Sequence, residues 1–334
     1  MARVALLRGG RSLERQVSLK SGARVADALQ RLGHEAIDID VGGDLIDRLL
    51  ACEPEIAFIA LHGRDGEDGT IQELLEILGI PYTASGVSAC IHCSDKVLAK
   101  HAMVDAELPT PDFYAFNETA FKELGAARAL PEIERRLGFP LVVKPAGQGS
   151  ALGVKFAACA GDVPAALVAA FSYDRKVLIE RFVDGRELAV SILQSADGGS
   201  AQALPVLEAV PREQGFHDFF AARYEIGRTT FVCPAVLPAE ITAGAQELAL
   251  AVYEELGCYG FARVDLMLEA GTDRLEVLEV NAIPGLTDTS LLPQAADAAG
   301  ISFDALISRI LDSGLARAAR AARGAGLTSG RELA

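Results

Sequence analysis

Residues 259–293, YGFARVDLMLEAGTDRLEVLEVNAIPGLTDTSLLP, decide how the rest of the chain is read. They predict a hairpin of two apolar strands, with Arg263 and Asp265 on the first and Glu279 and Asn281 on the second, then a loop holding Pro284 and Gly285. Carboxylate and amide oxygens in so apolar a run are costly to bury unless a cation meets them. Asp265, Glu279 and Asn281 all offer oxygen, the donor that Mg²⁺ takes when phosphate supplies its remaining ligands. Glu279 and Asn281 are two apart on a strand and so share a face. The spacing points to one bed for metal ions; the competing reading is an ordinary hairpin whose polar residues face water.

Composition narrows what such a bed would serve. At 334 residues the chain is expected to form two or three domains around real cores, and with 50% hydrophobic residues it is not disordered. A net charge of −15 and a pI near 4.8 argue against nucleic acid or an anionic membrane as partner, while leaving room for small anions at local lysines and helix ends. The opening MARVALLRGGRS fits a first strand better than a signal peptide, and no uninterrupted apolar run approaches membrane-spanning length. The six cysteines, at 52, 90, 93, 159, 233 and 258, lie in apolar segments and read as reduced core thiols of a cytoplasmic protein. Cys90 and Cys93 enclose His92 in a C-x-x-C, but no second ligand pair follows at zinc-site spacing.

The N-terminal part alternates strands and helices, which predicts a parallel sheet. A strand over 3–8 ends at Gly9-Gly10, Ser12 is expected to cap a helix reaching about Leu32, and strands at 36–41 and 56–61 each lead into a helix. Glu14 in the first turn suits the helix dipole, or faces a ligand amine across the glycine turn. His62 stands at a strand's carboxyl end, where ligands of such sheets bind, although a lone histidine is often structural. After Ser94-Asp95-Lys96, the prolines of LPTPDF break the helix and open a new unit, with the boundary near residue 95.

Residues 139–156, FPLVVKPAGQGSALGVKF, read as strand, glycine-rich loop and strand. Lys144 ends the first strand, and Gly147, Gly149 and Gly153 leave backbone bare enough for amides to approach phosphate; a plain hairpin turn is the alternative. The glycine spacing fits neither the dinucleotide fingerprint nor a Walker loop. A helix over 162–171 follows, then the strand KVLIERFV, Asp184-Gly185 as a hairpin turn, and the strand RELAVSIL, with Glu180 and Glu187 as the polar residues of apolar strands. Residues 211–230 form a long segment of mixed character expected to act as a lid. Helices are predicted over 239–256 and 302–323, with a frayed tail over 324–334 and no internal repeat.

The motifs GGRSLERQVSLKSG, ALHGRDGEDGT, VVKPAGQGSALGV, IERFVDGRELAV, GFARVDLMLE and LEVNAIPGLTDTSLLP occur in this order, and the chain from about residue 3 to residue 312 resembles the D-alanine–D-alanine ligase family of the ATP-grasp superfamily. The resemblance implies an α/β fold of the α+β ATP-grasp kind. Its parts would be a parallel β/α substrate domain over 1–95, a small antiparallel-sheet domain over 96–188, and an antiparallel-sheet domain with helices over 189–323 that carries the lid. ATP would lie between the two antiparallel sheets. Lys96 and Lys144 would hold its phosphates under the loop of Gly149 and Ser150, with Arg223 reaching them from the lid. Glu180 would meet the adenine beside the backbone of Arg181, Phe182 and Val183, and Glu187 the ribose. Asp265, Glu279 and Asn281 would bind two Mg²⁺ or Mn²⁺ ions.

By the same resemblance Glu14 would hold the first D-alanine's ammonium, with His62 nearby. Arg263 and the amide of Gly285 would stabilise an oxyanion, and Ser290 and Leu291 would bind the second D-alanine's carboxylate. Ser150 and Tyr224 match the pair that fastens the lid with Glu14. The implied reaction uses ATP to turn D-alanine into an acyl phosphate, which a second D-alanine attacks to give the dipeptide for peptidoglycan precursors. A cytoplasmic homodimer is implied, with D-alanine and ATP as partners and neither nucleic acid nor membrane. This chain departs from the family pattern at Arg223, at the lid segment DFFAARY, at Ala151, and at Asp288-Thr289 before Ser290. Those departures, with His217 in the lid, keep open D-lactate or D-serine as second substrate, although Tyr224 favours the dipeptide. An inactive nucleotide-binding module is the other alternative.

Overall fold

The run RVALLR has its middle side chains buried and forms β1 (Arg3–Arg8), the centre of a parallel sheet between β2 (Glu35–Asp40) and β3 (Ile56–Ile59). A strand buried on both faces reads as continuous apolar sequence, and IAFI of β3 is likewise buried throughout. A computed structural model of the chain describes residues 1–211 and 229–328, so the expectations on His217, Arg223 and Tyr224 lie outside the described residues.

The second sheet is antiparallel, in the order β4 (Phe113–Asn117), β7 (Lys176–Arg181), β5 (Leu141–Pro145) and β6 (Lys155–Ala157). Its outer face closes a small core of Leu141, Val143, Val177 and Ile179 under the helix Val163–Phe171. Because side chains alternate along a strand, the other face carries Val142, Lys144, Leu178 and Glu180. The third sheet, also antiparallel, runs β11 (Thr229–Val232), β10 (Leu207–Pro211), β8 (Gly185–Gln194), β12 (Phe261–Glu269), β13 (Leu275–Asn281), with β9 (Ala201–Ala203) also paired to β8. Leu188, Val190, Val264 and Val280 of this sheet share one core with Val4, Leu6 and Phe58 of the parallel sheet and with Leu306 and Ile310 of the last helix.

The helix Lys96–Asp105 lies between the large core and the inner face of the four-stranded sheet: Ala99 and Met103 enter the large core, while Val97 packs with Ala146 and Leu178. Its start is fixed by Asp95, whose carboxylate accepts the amides of Val97 at 2.9 Å and Leu98 at 3.2 Å and also meets the Lys176 ammonium.

Some sequence readings are corrected. Asp184-Gly185 is not a hairpin turn, since β7 and β8 lie in different sheets and the dipeptide is the crossing between them. A polar pair between two apolar strands reads alike in both cases. What distinguishes them is the tertiary contact: the Ala270 amide donates to the Asp184 carbonyl at 2.8 Å, and a Cβ on Gly185 would run into the Leu268 carbonyl. The first long helix spans Arg15–Arg31 with Glu14, not Ser12, in the capping position; the Ser12 hydroxyl donates to the His62 carbonyl at 2.6 Å and accepts the Glu14 amide at 3.2 Å. The last helix runs over Phe303–Thr328, past the expected end. Cys159 is exposed and Cys52 and Cys233 are partly so, leaving Cys90, Cys93 and Cys258 as core thiols.

Asp95→Ala removes the cap and the Lys176 partner together, and is expected to cost about 1 kcal/mol. Asp95→Asn, which keeps the accepting oxygen, loses less; equal urea midpoints for Asp95→Ala and the parent would contradict this.

Candidate active site

The β12–β13 register sets Arg263 opposite Asn281 and Asp265 opposite Glu279, with a bulge after Asp265. Directly opposed residues share a face, so the four polar side chains gather on one side of the sheet. On β8 the same register puts Ser191, Ala189 and Glu187 on that face. Asp265 is fully buried; its carboxylate takes a two-pronged grip from Arg263, Nε at 2.7 Å and Nη2 at 2.9 Å, and the Asn281 amide at 3.3 Å. Paired hydrogen bonds of this kind are the arrangement that best stabilises a buried carboxylate. The alternative of a hairpin with solvated polar residues is thereby set aside for Asp265.

Lys96 heads the helix Lys96–Asp105 and bridges two elements. Its ammonium lies 3.1 Å from Glu279 and donates to the Gln148 carbonyl in the glycine-rich loop at 2.7 Å. That loop does join an antiparallel pair, as the hairpin reading held, but it reaches well beyond a turn. Gly147 donates its amide to Asp174 at 2.7 Å, Ser150 and Ala151 both hold φ of 53°, and the Ser150 hydroxyl donates to Glu14. Left-handed backbone is strained for non-glycine residues, so the loop is held in shape by its partners rather than by local preference.

Glu14 stands at the carboxyl edge of the parallel sheet, its carboxylate against Gly63, the residue after His62. The His62 ring is buried, with Nδ1 3.1 Å from the Ile283 carbonyl and 3.3 Å from Glu67, and Nε2 2.9 Å from the Ser21 hydroxyl. The Ile283 carbonyl can only accept, which assigns a proton to Nδ1; in the neutral ring Nε2 then accepts from the Ser21 hydroxyl, which itself accepts the Leu286 amide at 3.1 Å. Burial pushes the Glu67 carboxyl above its ordinary value, with His62 opposing. The histidine thus locks the loop after β13 to the first helix. In that loop the Ser290 hydroxyl accepts the Thr287 amide at 3.0 Å, and a Cβ on Gly285 would lie 2.6 Å from it. Leu291 packs on Ala189 and Leu207.

On the inner face of the four-stranded sheet, Lys144 lies 2.5 Å from Glu180, and Lys100 meets the other oxygen of the same carboxylate at 3.2 Å. Burial works against the Glu180 carboxylate, yet the two lysines outweigh it and hold the group below its ordinary value. Arg181, read from sequence only for its backbone, ties the sheets by pairing with Glu269 at 3.0 Å and with Glu276. Phe182 sets its ring edge on Phe156 at 5.3 Å, and Glu187 is buried on β8.

The structure therefore links Glu14 to Ser150, the same loop through Gln148 to Lys96, and Lys96 to Glu279, which the register sets opposite Asp265 with its partners Arg263 and Asn281; Lys144 and Glu180 form a second group in the four-stranded sheet. Sequence reasoning missed Lys100. The signal was the i, i+4 spacing with Lys96, which places both on one helix face. It also missed Arg24, which donates to the Leu286 carbonyl at 2.7 Å and pairs with Asp288 at 2.8 Å, so the departure at Asp288 is anchored to the first helix.

As a metal bed, the site offers two carboxylates and an amide oxygen. Among the described residues, no three His, Cys, Asp or Glu side chains gather closely enough to hold an ion alone. The donor set fits Mg²⁺, which is bound by one or two carboxylates when phosphate completes its sphere, and does not fit zinc.

Comparison with known proteins agrees with this geometry. Residues 102–312 match the model of the D-ala D-ala ligase C-terminus and residues 46–85 that of its N-terminus. The D-alanine–D-alanine ligase of Syntrophotalea carbinolica is 45% identical over 92% of this chain and 95% of its own, and that of Moorella thermoacetica 41% identical over 94% and 99%. The crystal structure of the Bacillus anthracis ligase complexed with ATP superposes with a TM-score of 0.79 at 33% identity, covering 96% of this chain and 100% of the other.

Arg263→Met strips a two-pronged counter-ion from a fully buried carboxylate. It is expected to cost about 3 kcal/mol of stability, read from urea unfolding, with part of the loss restored by millimolar Mg²⁺. An unchanged midpoint would show that Asp265 does not depend on this pair.

Proposed function

The chain belongs to the D-alanine–D-alanine ligase family, and from that membership we propose that it joins two D-alanine molecules at the expense of ATP, by way of D-alanyl phosphate, giving D-alanyl-D-alanine for peptidoglycan. One observation carries the reading at the level of this chain's own residues. The glycine-rich loop touches Glu14 through Ser150 and touches Lys96, the partner of Glu279, through Gln148. A carboxylate suited to an ammonium and a bed suited to phosphate-bound metal are thus held by one short loop.

The roles follow from charge. Glu14 attracts the amino group of the first D-alanine and turns its carboxylate toward the phosphates. Asp265, Glu279 and Asn281 hold Mg²⁺, which supplies neutralising charge at the phosphate oxygens when bound. Lys96 and Lys144 steady the phosphates beneath Gly149 and Ser150, with Glu180, the backbone of Arg181 to Val183, and Glu187 receiving the base and ribose. Arg263 and the Gly285 amide face the oxygen that gains charge when the second amine attacks. Ser290 and the Leu291 amide, at a helix N-terminus, take the second carboxylate. Arg223 and Tyr224 are assigned to a lid that keeps water from the acyl phosphate.

We further read the chain as a cytoplasmic homodimer of three units, 1–95, 96–188 and 189–323. No helix among the described residues is long and apolar enough to cross a membrane.

Phosphate release against a panel of D- and L-amino acids and D-lactate tests the reading. D-alanine is expected to give the fastest release with dipeptide as product; ester as dominant product at neutral pH, or no release with any acceptor, would overturn it. Glu279→Gln keeps shape and removes charge, and is expected to lower turnover by ~100-fold or more with folding retained. Unchanged release in that variant would refute the metal assignment.

A further inference from the structure

Lys100 plays no part in the reaction as derived above, yet it is fully buried and points into the nucleotide half of the site. Its ammonium donates to the Thr110 hydroxyl at 2.6 Å, lies 3.2 Å from Glu180, and sits 5.1 Å from the centre of the Phe113 ring. Thr110 in turn donates to the Val277 carbonyl of β13 at 2.8 Å, so the lysine is anchored to the six-stranded sheet while its charge serves the four-stranded one. Glu180 therefore has two cations, one for each oxygen, and the two differ in freedom. Lys144 ends β5, where the chain enters the glycine-rich loop, and retains some exposure; Lys100 retains none.

That asymmetry has a consequence if Lys144 binds phosphate. A lysine cannot hold a phosphate and keep its whole grip on a carboxylate, and Glu180 is 3% exposed, too buried for water to replace the lost partner. We propose that Lys100 is a positioning residue: it is the standing counter-ion of Glu180, and by holding that carboxylate it frees Lys144 to turn toward the nucleotide's phosphates. The inference rests on the assignment of Lys144 and Glu180 to the nucleotide pocket made above.

The surroundings of Lys100 supply a second readout. It is faced by Glu180 from β7, Lys144 from β5, Glu276 from β13, Thr110, and the Phe113 ring, which His101 meets edge-on at 5.1 Å, with Lys96 one turn away on its own helix. Burial first, with repulsion from Lys144, brings its ammonium down to about 8, against attraction by Glu180. Below that pH the counter-ion is in place. Above it the lysine is neutral, and Glu180 depends on Lys144 alone, so nucleotide binding weakens as pH rises through about 8.

The test is the Kd of ADP with Mg²⁺, measured by calorimetry on the full-length protein from pH 7 to pH 9. Wild type is expected to lose affinity across this range. Lys100→Met is expected to bind roughly tenfold more weakly at pH 7 and to lack the step. In a Glu180→Gln background, where no carboxylate needs a counter-ion, the same Lys100→Met change is expected to cost less than about twofold and the profile to be flat. This pair also covers failure of the single variant to fold, because it leaves no buried carboxylate without a counter-ion. An equal cost of Lys100→Met with and without Glu180 would mean plain packing and would overturn the proposal. Lys144→Met separates the two levels: if it too leaves ADP affinity intact, the nucleotide-pocket assignment fails, whereas loss with Lys144→Met but not with Lys100→Met overturns only the role of Lys100.

Discussion

A carboxylate with no access to water must have a cation beside it, and this requirement organises the centre of the molecule. Asp265 is at 0% exposure and Glu180 at 3%, and each sits in the inner face of a sheet. Unpaired, either would cost several kcal/mol or take up a proton. Arg263 answers the first from its own strand, and Lys100 and Lys144 answer the second from a helix and a neighbouring strand. Glu279 is answered by Lys96 from the helix that also carries Lys100. One helix, held at its start by Asp95, therefore neutralises acids in both antiparallel sheets, and its placement is set as much by charge as by its apolar side.

The two cores meet this demand differently. The large core is continuous from the parallel sheet through β8 and β12 to the last helix, so Glu14, His62 and the loop after β13 are parts of one packed body. The small core under β5 and β7 is separate; besides the apolar contact of Val97 with Ala146 and Leu178, it meets the larger body through polar contacts: Arg181 with Glu269 and Glu276, Lys100 with Glu180, and the loop with Glu14. Contacts of that kind can be exchanged without opening a hydrophobic interior. A ligand site between two such bodies can admit an anion and close on it with no change to either core.

How far this was legible in the sequence depends on where the informative contrast lay. Asp265, Glu279 and Asn281 stood out because oxygen donors interrupt apolar strands; alternation put Glu279 and Asn281 on one face, and the β12–β13 register adds Asp265 to it. Lys144 stood out against a glycine-rich loop. Lys100 did not, since a lysine in a helix is ordinarily solvated and only the third dimension shows Glu180 and Thr110 above it. Asp184-Gly185 was misread for the same reason: a turn dipeptide is local, but whether the next strand pairs back or crosses to another sheet depends on Leu268 and Ala270, far along the chain. Glu14, expected in the first turn, stands one residue earlier in the capping position, and Ser12, expected as the cap, lies further out with its hydroxyl donating to the His62 carbonyl.

The chain's net charge of −15 raises the question of how it would hold a polyanion, and the pairing pattern offers an answer. Arg263, Lys96 and Lys144 are already largely out of water, each against a carboxylate. Entry of a metal-bound nucleotide would bring cations to Asp265 and Glu279 and phosphates to the basic side chains at once. Asp265, Glu279 and the three basic groups would then each trade one partner for another of the same sign, while Glu180 keeps Lys100, so the main cost of taking ions out of water was met on folding and is not incurred again on binding. Neither member can be exchanged alone without leaving a charge exposed to an apolar surrounding. On this argument metal and nucleotide load together, which is the order an acyl-phosphate chemistry needs if the basic groups are to face phosphate only when the substrate is present.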